Sequence, residues 1–289
     1  MKKVILCLAV LASTTATAQQ AATTVKSIEV VPGIYMLQGA DGFSSNMSLL
    51  VGDDRVLLID DGMAPITASL MATVQELAGR PADFVVNTHA HGDHVGSNAT
   101  LADNGAIIFA HHNLRKRLVE KPETAGGPAG LPVVTFADAV TFHVNGHKTI
   151  VFHVESAHTD GDAVIHFPDV NVIDAGDLLF NYMFPFIDLD SGGSVAGYKA
   201  GQQQIIDMAD DDTAIIPGHG PLANKADLQI ALDMLIDAEA RVEKLVDAGM
   251  SQEGVLAENP LADYHDQWNW GFITTERMTA MLYRSLTDE

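Results

Sequence analysis

Cysteine is almost absent from this sequence. The 289 residues contain one, Cys7, and it lies in a leader in which two lysines precede an apolar stretch at residues 4–12. That order, followed by an A-x-A arrangement ending at Ala18, is typical of a cleavable secretory signal. We therefore expect residues 1–18 to be a signal peptide and the mature protein to be periplasmic or secreted. It would have no thiol, which excludes disulfides, thiolate metal ligands and a cysteine nucleophile.

Long apolar runs and basic residues are also scarce. The leader is too short to cross a bilayer, and no later stretch stays apolar for the roughly 20 residues that a membrane helix requires, so we expect no integral membrane segment. The chain has 16 basic and 38 acidic residues, a formal net charge of -22. Nucleic acid is a poor partner for such a surface, because its phosphates require a basic face. The short basic cluster at residues 115–117 is more typical of the solvated side of a helix.

What the sequence does contain is strand patterns alternating with helix patterns. Apolar, partly β-branched segments bounded by Gly or Asp predict strands at 33–39, 45–52, 54–62, 82–88, 106–111, 163–168, 170–177 and 213–220. Segment 139–154 predicts a hairpin that turns at Asn145 and Gly146. Apolar residues at helical spacing predict helices at 63–79, 112–121, 224–249 and 274–286. This alternation predicts an α/β fold with mixed sheets covered by helices.

A Gly- and Pro-rich segment interrupts this alternation. It covers residues 122–132 and has the sequence PETAGGPAGLP, which predicts a loop. We expect a single domain over residues 19–289. Within it, the loop would be a mobile flap or would divide two halves at about 28–121 and 133–289.

Four potential metal ligands lie together in the motif HAHGDH, directly after a predicted strand. They are His89, His91, Asp93 and His94. The intervening Gly92 allows the sharp turn that would aim several of these side chains at neighbouring points. Imidazole nitrogens and carboxylate oxygens are the ligands that Zn²⁺ takes when thiolates are absent. The alternative is a polar loop whose histidines are there by chance, and the short ligand spacing favours the metal.

Three further ligands follow at the carboxyl ends of later predicted strands. His158 lies in ESAHTDGD, Asp177 ends VIDAGD, and His219 lies in the glycine-flanked loop IIPGHG. Each position alone is weak support for a metal site. Together and in this order they predict a metal centre.

The series HAHGDH, AHTDGD, DAGD and PGHG resembles the metallo-β-lactamase superfamily, from about residue 28 to the end of the chain. The resemblance implies an αββα sandwich, in which two mixed sheets pack face to face between helices, and two Zn²⁺ ions per chain. It assigns His89, His91 and His158 to the first ion, Asp93, His94 and His219 to the second, and a bridging position to Asp177. It also implies that Asp60 and Thr159 hold ligands from outside.

Two positions depart from the best-known antibiotic-degrading branch of that family. Asp177 stands where that branch has a cysteine, and Phe180 stands where it has a lysine that grips the substrate carboxylate. The aspartate pattern is similar to that of glyoxalase-II-like thioesterases, lactonases and ribonuclease-Z-like nucleases. These two differences weaken the assignment as a β-lactamase but do not exclude it.

The expected reaction is hydrolysis of a small-molecule carbonyl by a metal-bound hydroxide, which Asp93 orients. Our first substrate class is a β-lactam or lactone ring. Alternatives are a glyoxalase-II-like thioesterase, an iron-dependent sulfur oxygenase and a non-catalytic metal-binding module. We expect residues 181–194 to form one pocket wall, through Tyr182, Phe184 and Phe186 or through loop packing alone.

The remaining histidines and the tryptophans have simpler interpretations. Those in or beside predicted strands, His143, His147, His153 and His166, are expected at the surface or half-buried. His111 and His112 are expected in the first turn of a helix. His265 would lie at a pocket mouth with Trp268 and Trp270, or these aromatic side chains would pack in the core.

Overall fold

The computed structural model describes residues 24–39 and 44–287, so the predicted signal peptide lies outside the described residues. In these residues the strands are β1 (Val25–Val31), β2 (Ile34–Gly39), β3 (Asn46–Leu50), β4 (Leu57–Ile59), β5 (Phe84–Val86), β6 (Ile107–His111), β7 (Val134–Phe136), β8 (Ala139–Val144), β9 (His147–His153), β10 (Ala163–Phe167), β11 (Val172–Phe180), β12 (Ala214–His219) and β13 (Ala223–Asn224). The α-helices are α1 (Thr67–Ala78), α2 (Gly92–Val95), α3 (Asn98–Asp103), α4 (His112–Glu120), α5 (Val195–Met208), α6 (Lys225–Asp247), α7 (Gln252–Glu258), α8 (His265–Trp268) and α9 (Thr275–Thr287).

The strands form two mixed sheets. The first sheet has the order β1-β2-β3-β4-β5-β6-β7, antiparallel from β1 to β4 and parallel from β4 to β7. The second has the order β13-β12-β11-β10-β9-β8, in which β11 and β12 are parallel and the other neighbours antiparallel. The parallel pairs matter for the site, because they bring the carboxyl ends of β5, β11 and β12 to the same edge of the two sheets.

Apolar cores hold the layers together. Side chains of both sheets, including Met36, Val86 and Ile165, form the core between them. Helix α1 packs Leu70 and Val74 on the outer face of the first sheet. Helices α5, α6 and α9 cover the outer face of the second sheet in the largest core. Because β11 is covered on both faces, it is buried at every position, including Asp174 and Asp177.

Several local predictions are confirmed with their physical causes. The turn between β8 and β9 has positive φ at both central residues, 55° at Asn145 and 76° at Gly146, as a two-residue hairpin requires. Helix α1 ends at Gly79, which is left-handed. Helix α6 begins with a capping box between Asn224 and Asp227.

Other elements were not predicted. The additional elements are strands β1, β7 and β13 and helices α2, α3, α5, α7 and α8. Segment 122–132 contains two 3₁₀ turns rather than a plain loop. Ala125 and Gly130 are buried there, and the Gly130 carbonyl accepts a hydrogen bond from the Asn98 side chain. The chain changes sheets after β7, so the first sheet extends beyond the predicted division. No helix in residues 24–39 and 44–287 is long and apolar enough to cross a membrane.

Candidate metal centre

The HAHGDH motif leaves β5 and folds into the single turn α2. His89 and His91 precede this turn, and Asp93 and His94 lie on it. Backbone bonds fix the turn against the segment after β4, since the Asp61 N–H donates to the His94 carbonyl at 2.9 Å. Backbone hydrogen bonds to the segment that follows β4 of the first sheet therefore hold the motif in place.

Three histidines converge in the first ligand group. The Nε2 atom of His158 lies 3.1 Å from Nε2 of His89 and 2.9 Å from Nδ1 of His91. Nε2 of His89 is 3.0 Å from Nδ1 of His91. His158 comes from the loop between β9 and β10, so the second sheet supplies one member of this group. The prediction that these three side chains meet agrees with this geometry.

The second ligand group contains Asp93, His94 and His219. One Asp93 oxygen, Oδ2, is 3.2 Å from Nε2 of His219 and 3.7 Å from Nε2 of His94. His219 is the last residue of β12, and Phe180, the last residue of β11, is its partner across the parallel ladder. The Phe180 ring stacks on the His219 ring with centroids 4.8 Å apart and planes at 12°. Phe180 thus packs against a ligand.

Asp177 on β11 lies between the two groups. Its Oδ2 is 3.6 Å from Nε2 of His89 and 3.4 Å from Nε2 of His158. Its Oδ1 is 3.2 Å from Nε2 of His94 and 3.5 Å from Nε2 of His219. Each oxygen of one carboxylate therefore faces one group.

Neighbouring side chains hold the ligands from outside. Asp60 Oδ2 is 2.7 Å from Nδ1 of His94, and its carboxylate also accepts from the N–H and hydroxyl of Thr88. The predicted outer position of Asp60 agrees with this arrangement. Thr159 does not take the outer position predicted for it, because its N–H and hydroxyl donate to Asp162. The hydroxyl beside the histidines is that of Thr88, 3.1 Å from Nδ1 of His89.

Two outer contacts come from the segment after β11, which sequence patterns did not single out for this role. The Phe186 carbonyl is 2.6 Å from Nδ1 of His158, and Asp188 Oδ2 is 2.9 Å from Nε2 of His91. No local motif predicts these contacts, since they depend on the segment folding back over residues distant in sequence.

The two groups have opposite electrostatics. In the first, burial lowers the pKa of His89 well below its usual range and lowers the pKa of His158 to about 4. In the second, burial alone would lower the histidine pKa values, but the carboxylates outweigh it. Asp177 and Asp60 raise the pKa of His94 well above its usual range, and Asp177 and Asp93 raise the pKa of His219 to about 9.

The donor set fits a pair of divalent cations. The ligand atoms of His89, His91, His158 and Asp177 lie within 4.8 Å of one another, and so do those of Asp93, His94 and His219. Two of these atoms, His94 Nε2 and Asp177 Oδ1, are buried without a hydrogen-bond partner. Buried polar atoms are ordinarily partnered, and a nitrogen–oxygen donor set without sulfur suits Zn²⁺.

Aromatic side chains surround this centre unevenly. The Trp270 ring lies 6.1 Å from the His219 ring, and the Phe186 ring lies 5.7 Å from the His91 ring. Of the other predicted wall residues, Phe184 is fully buried in the core, and the Tyr182 hydroxyl donates to Asp227. Trp268 is also a core residue. Of the aromatic residues that the sequence analysis placed at the pocket, Phe186 and Trp270 are those whose rings lie beside the two ligand groups.

The remaining histidines lie outside the two ligand groups. His111 was predicted in the first turn of a helix, but it is the last residue of β6 and the N-cap of α4, where its Nδ1 accepts from the Asn113 N–H. Its ring stacks on that of His153, with centroids 3.7 Å apart. Nδ1 of His265 is 2.9 Å from the Thr275 hydroxyl. The other histidines are exposed or half-buried, namely His112, His143, His147 and His166.

Comparison with known proteins identifies the family. The profile of the metallo-β-lactamase superfamily matches residues 40–219. A hydroxyacylglutathione hydrolase of Polaromonas sp. is 29% identical over 51% of this chain and 52% of its own length, so this chain spans about half of that relative. A metallo-β-lactamase of Chryseobacterium indologenes is 24% identical over 68% of this chain and 80% of its own length. Both names are those of hydrolases, and the predicted class, metal-dependent hydrolase, is confirmed for the family.

Solved structures show the same fold. A metallo-β-lactamase from Pontibacter korlensis has a TM-score of 0.63 and 19% identity, covering 74% of this chain and 100% of that one. A sec-alkylsulfatase from Pseudomonas sp. has a TM-score of 0.69 and 16% identity, covering 92% of this chain and 50% of that one. These likenesses confirm the αββα sandwich, and because the profile covers more than half of the sequence, the chain belongs to the metallo-β-lactamase superfamily.

Proposed function

We propose that this protein is a hydrolase with two Zn²⁺ ions that cleaves a small amide or ester carbonyl, with a β-lactam or lactone ring as the first substrate class. The observation that carries the proposal is the position of Asp177. Its two oxygens face two separate ligand groups, which is the arrangement expected of a carboxylate that bridges two ions. His89, His91 and His158 would hold the first ion, and Asp93, His94 and His219 the second.

When bound, two Zn²⁺ ions would supply Lewis acidity and would lower the pKa of a water molecule towards neutrality. The chain's own contribution is positioning. Asp93 keeps 23% of its side chain exposed, whereas Asp177 keeps 4%, so Asp93 is the carboxylate within reach of substrate. We infer that Asp93 orients the nucleophile and then carries a proton to the leaving group. Phe186 and Trp270 would contact apolar parts of the substrate and exclude water from it.

The surroundings favour a small substrate over a large anionic one. Lys225 and Arg241 on α6 are engaged elsewhere, with Lys225 donating to the Ala209 carbonyl and Arg241 pairing with Asp237 and Asp263. Phe180 is stacked on His219 where a lysine would grip a β-lactam carboxylate. We therefore expect broad and modest turnover of ring substrates rather than efficient turnover of one antibiotic class.

A thioesterase is the second candidate. The specific observation in its favour is Asp177, because an all-oxygen bridge is similar to the glyoxalase-II pattern, and hydroxyacylglutathione hydrolases are among the relatives. The same ligands could instead hold one iron for oxygen chemistry on a sulfur compound, or hold metal without turnover.

A metal-content assay followed by a turnover panel tests these alternatives. The zinc-loaded protein is offered a penicillin, a cephalosporin, a carbapenem, an acyl lactone, a glutathione thioester and a phosphodiester, with Asp177→Ala as the inactive control. We expect ring substrates to turn over, chelation to abolish the activity and Zn²⁺ to restore it. Turnover of the thioester alone would favour the second candidate. One iron with oxygen uptake, or full metal without any turnover, would replace the hydrolase.

We also propose export. This proposal rests on the leader sequence alone and is independent of the metal site. N-terminal sequencing of protein recovered from the periplasm or medium should give Gln19 as the first residue. Recovery of intact Met1 in the cytoplasm would contradict it.

A further inference from the structure

His91 differs from the other histidines of the first group in its outer contact. The outer nitrogen of His89 meets a hydroxyl, Thr88 Oγ1, at 3.1 Å, and that of His158 meets the Phe186 carbonyl at 2.6 Å. The outer nitrogen of His91 meets a carboxylate, Asp188 Oδ2, at 2.9 Å. Among the described residues, this contact is the counterpart of the one that Asp60 makes with His94 in the second group.

The contact defines which nitrogen of His91 is available to a cation. Nδ1 faces His89 and His158 in the ligand group, at 3.0 and 2.9 Å, and Nε2 faces Asp188. When Nδ1 uses its lone pair to bind an ion, the neutral ring carries its proton on Nε2, where it donates to the carboxylate. A carboxylate in this position fixes the tautomer and the ring orientation and raises the basicity of the binding nitrogen.

Asp188 is itself held firmly. Its N–H donates to the carbonyl of His158 at 2.9 Å, and its own carbonyl accepts from Gly193 at 2.9 Å. Its second oxygen, Oδ1, accepts from the N–H of Ser191 and thereby caps the short 3₁₀ turn Leu189–Ser191. Only 16% of the Asp188 side chain is exposed. The carboxylate therefore has a defined position before any ligand arrives.

We propose that Asp188 is a positioning residue that orients His91 and strengthens cation binding in the first group. It acts through His91 and touches neither substrate nor ion. This inference rests on the metal binding proposed above and is independent of the reaction. It extends the outer support of the centre from Asp60, on the first sheet, to the segment that follows β11 on the second.

Zinc competition with a chromophoric chelator tests the inference. In a His219→Ala background, which isolates the first group, Asp188→Asn should weaken Zn²⁺ binding about 10- to 100-fold, and Asp188→Glu should recover part of the loss. The matched control is Asp190→Asn, which removes the same charge two residues away, where it pairs with Arg284. That control should leave the affinity within about threefold.

A double-mutant cycle separates orientation from general damage. If Asp188 acts through His91, Asp188→Asn should add no further loss of affinity once His91→Asn, which leaves a weaker oxygen donor at this position, has been introduced. Thermal unfolding of the metal-free Asp188→Asn protein should match the parent, because an amide oxygen still caps the turn. Equal affinities for Asp188→Asn and Asp190→Asn, or additive losses in the cycle, would overturn the proposal. Absence of zinc binding by the unmodified protein would instead refute the metal centre itself.

Discussion

The two ligand groups lie side by side and differ in the charges that surround their histidines. In the first, three imidazoles meet, and burial keeps the pKa values of His89 and His158 low. In the second, carboxylates surround His94 and His219 and raise their pKa values. Without metal, His89 and His158 of the first group are therefore neutral imidazoles, whereas His94 and His219 of the second form ion pairs with carboxylates. A cation can enter the first by adding to lone pairs, but it must displace protons from the second.

The largest effect is expected when the carboxylate that both groups share is removed. Asp177→Ala should lower the metal content of both groups and reduce hydrolysis by at least about 1000-fold, because the nucleophile depends on the ions. His91→Ala should empty mainly the first group. Elemental analysis of the two purified variants measures the difference. Unchanged zinc in Asp177→Ala would remove the bridging role.

A smaller effect is expected when the outer support of the second group is weakened. Asp60→Asn should raise the zinc dissociation constant of that group about 10- to 100-fold. It should also lower the free energy of unfolding of the metal-free protein by roughly 1–3 kcal/mol, because a buried acceptor of the Thr88 donors is lost.

Asp61→Asn is the matched control, since Asp61 is equally buried but accepts from the Ser97 N–H rather than from a histidine. Chelator competition and urea unfolding report the two quantities separately. An equal loss of zinc affinity in both variants would show that burial, and not the contact with His94, is responsible.

Proton release should distinguish the groups at intermediate pH. The pKa of His219 is raised from 6.5 to about 9, so this ring is protonated below about pH 9 in the metal-free protein, and zinc must displace its proton. Affinity of the second group should rise with pH up to about 9. The pKa of His158 is lowered to about 4, so the proton on this ring should not compete with zinc in the first group above about pH 5.

Calorimetry in buffers of different ionisation enthalpy measures the protons released per ion. A variant that retains only the first group, His219→Ala, should release fewer protons than one that retains only the second, His91→Ala. Equal proton release in the two variants would contradict the electrostatic contrast.

The smallest effect concerns the aromatic residues beside each group. Trp270→Leu removes a ring next to His219, and Phe186→Leu removes one next to His91. For a substrate with an apolar side chain, each should raise KM by about 2- to 10-fold, the range expected for loss of one aromatic contact, while kcat changes less. Steady-state kinetics on the best substrate of the panel would show which ring matters more, and a change in kcat alone would exclude a binding role.

Much of the metal centre was predictable because the ligands follow strands. A side chain at the carboxyl end of a buried parallel strand has a position that the sheet determines, so the predictions for His89, after β5, and His219, at the end of β12, needed only the strand pattern and the residue type. Asp177 was predicted at the end of its strand but lies inside β11, which continues to Phe180. The hairpin at Asn145 was predictable for a similar reason, since a two-residue turn demands positive φ.

The outer partners were not predictable in this way. Asp188 reaches His91 because a coil segment folds back from β11, and no local periodicity encodes that path. The same applies to Thr159, whose hydroxyl bonds to Asp162 three residues later in place of a ligand. Alternation along residues 181–194 does not distinguish Phe184, which is buried in the core, from Phe186, which reaches the site.

The ligand groups draw on both sheets, and this has a mechanical consequence. His91 follows a strand of the first sheet and His158 one of the second, so an ion bound between them is a cross-link between the two layers. Asp177 and His219 make the same connection to Asp93 and His94. The chain has a single cysteine and can form no internal disulfide, so bound ions would supply the kind of restraint that a disulfide gives other proteins. Chelation should therefore loosen the contact between the sheets and lower the unfolding temperature of the whole domain.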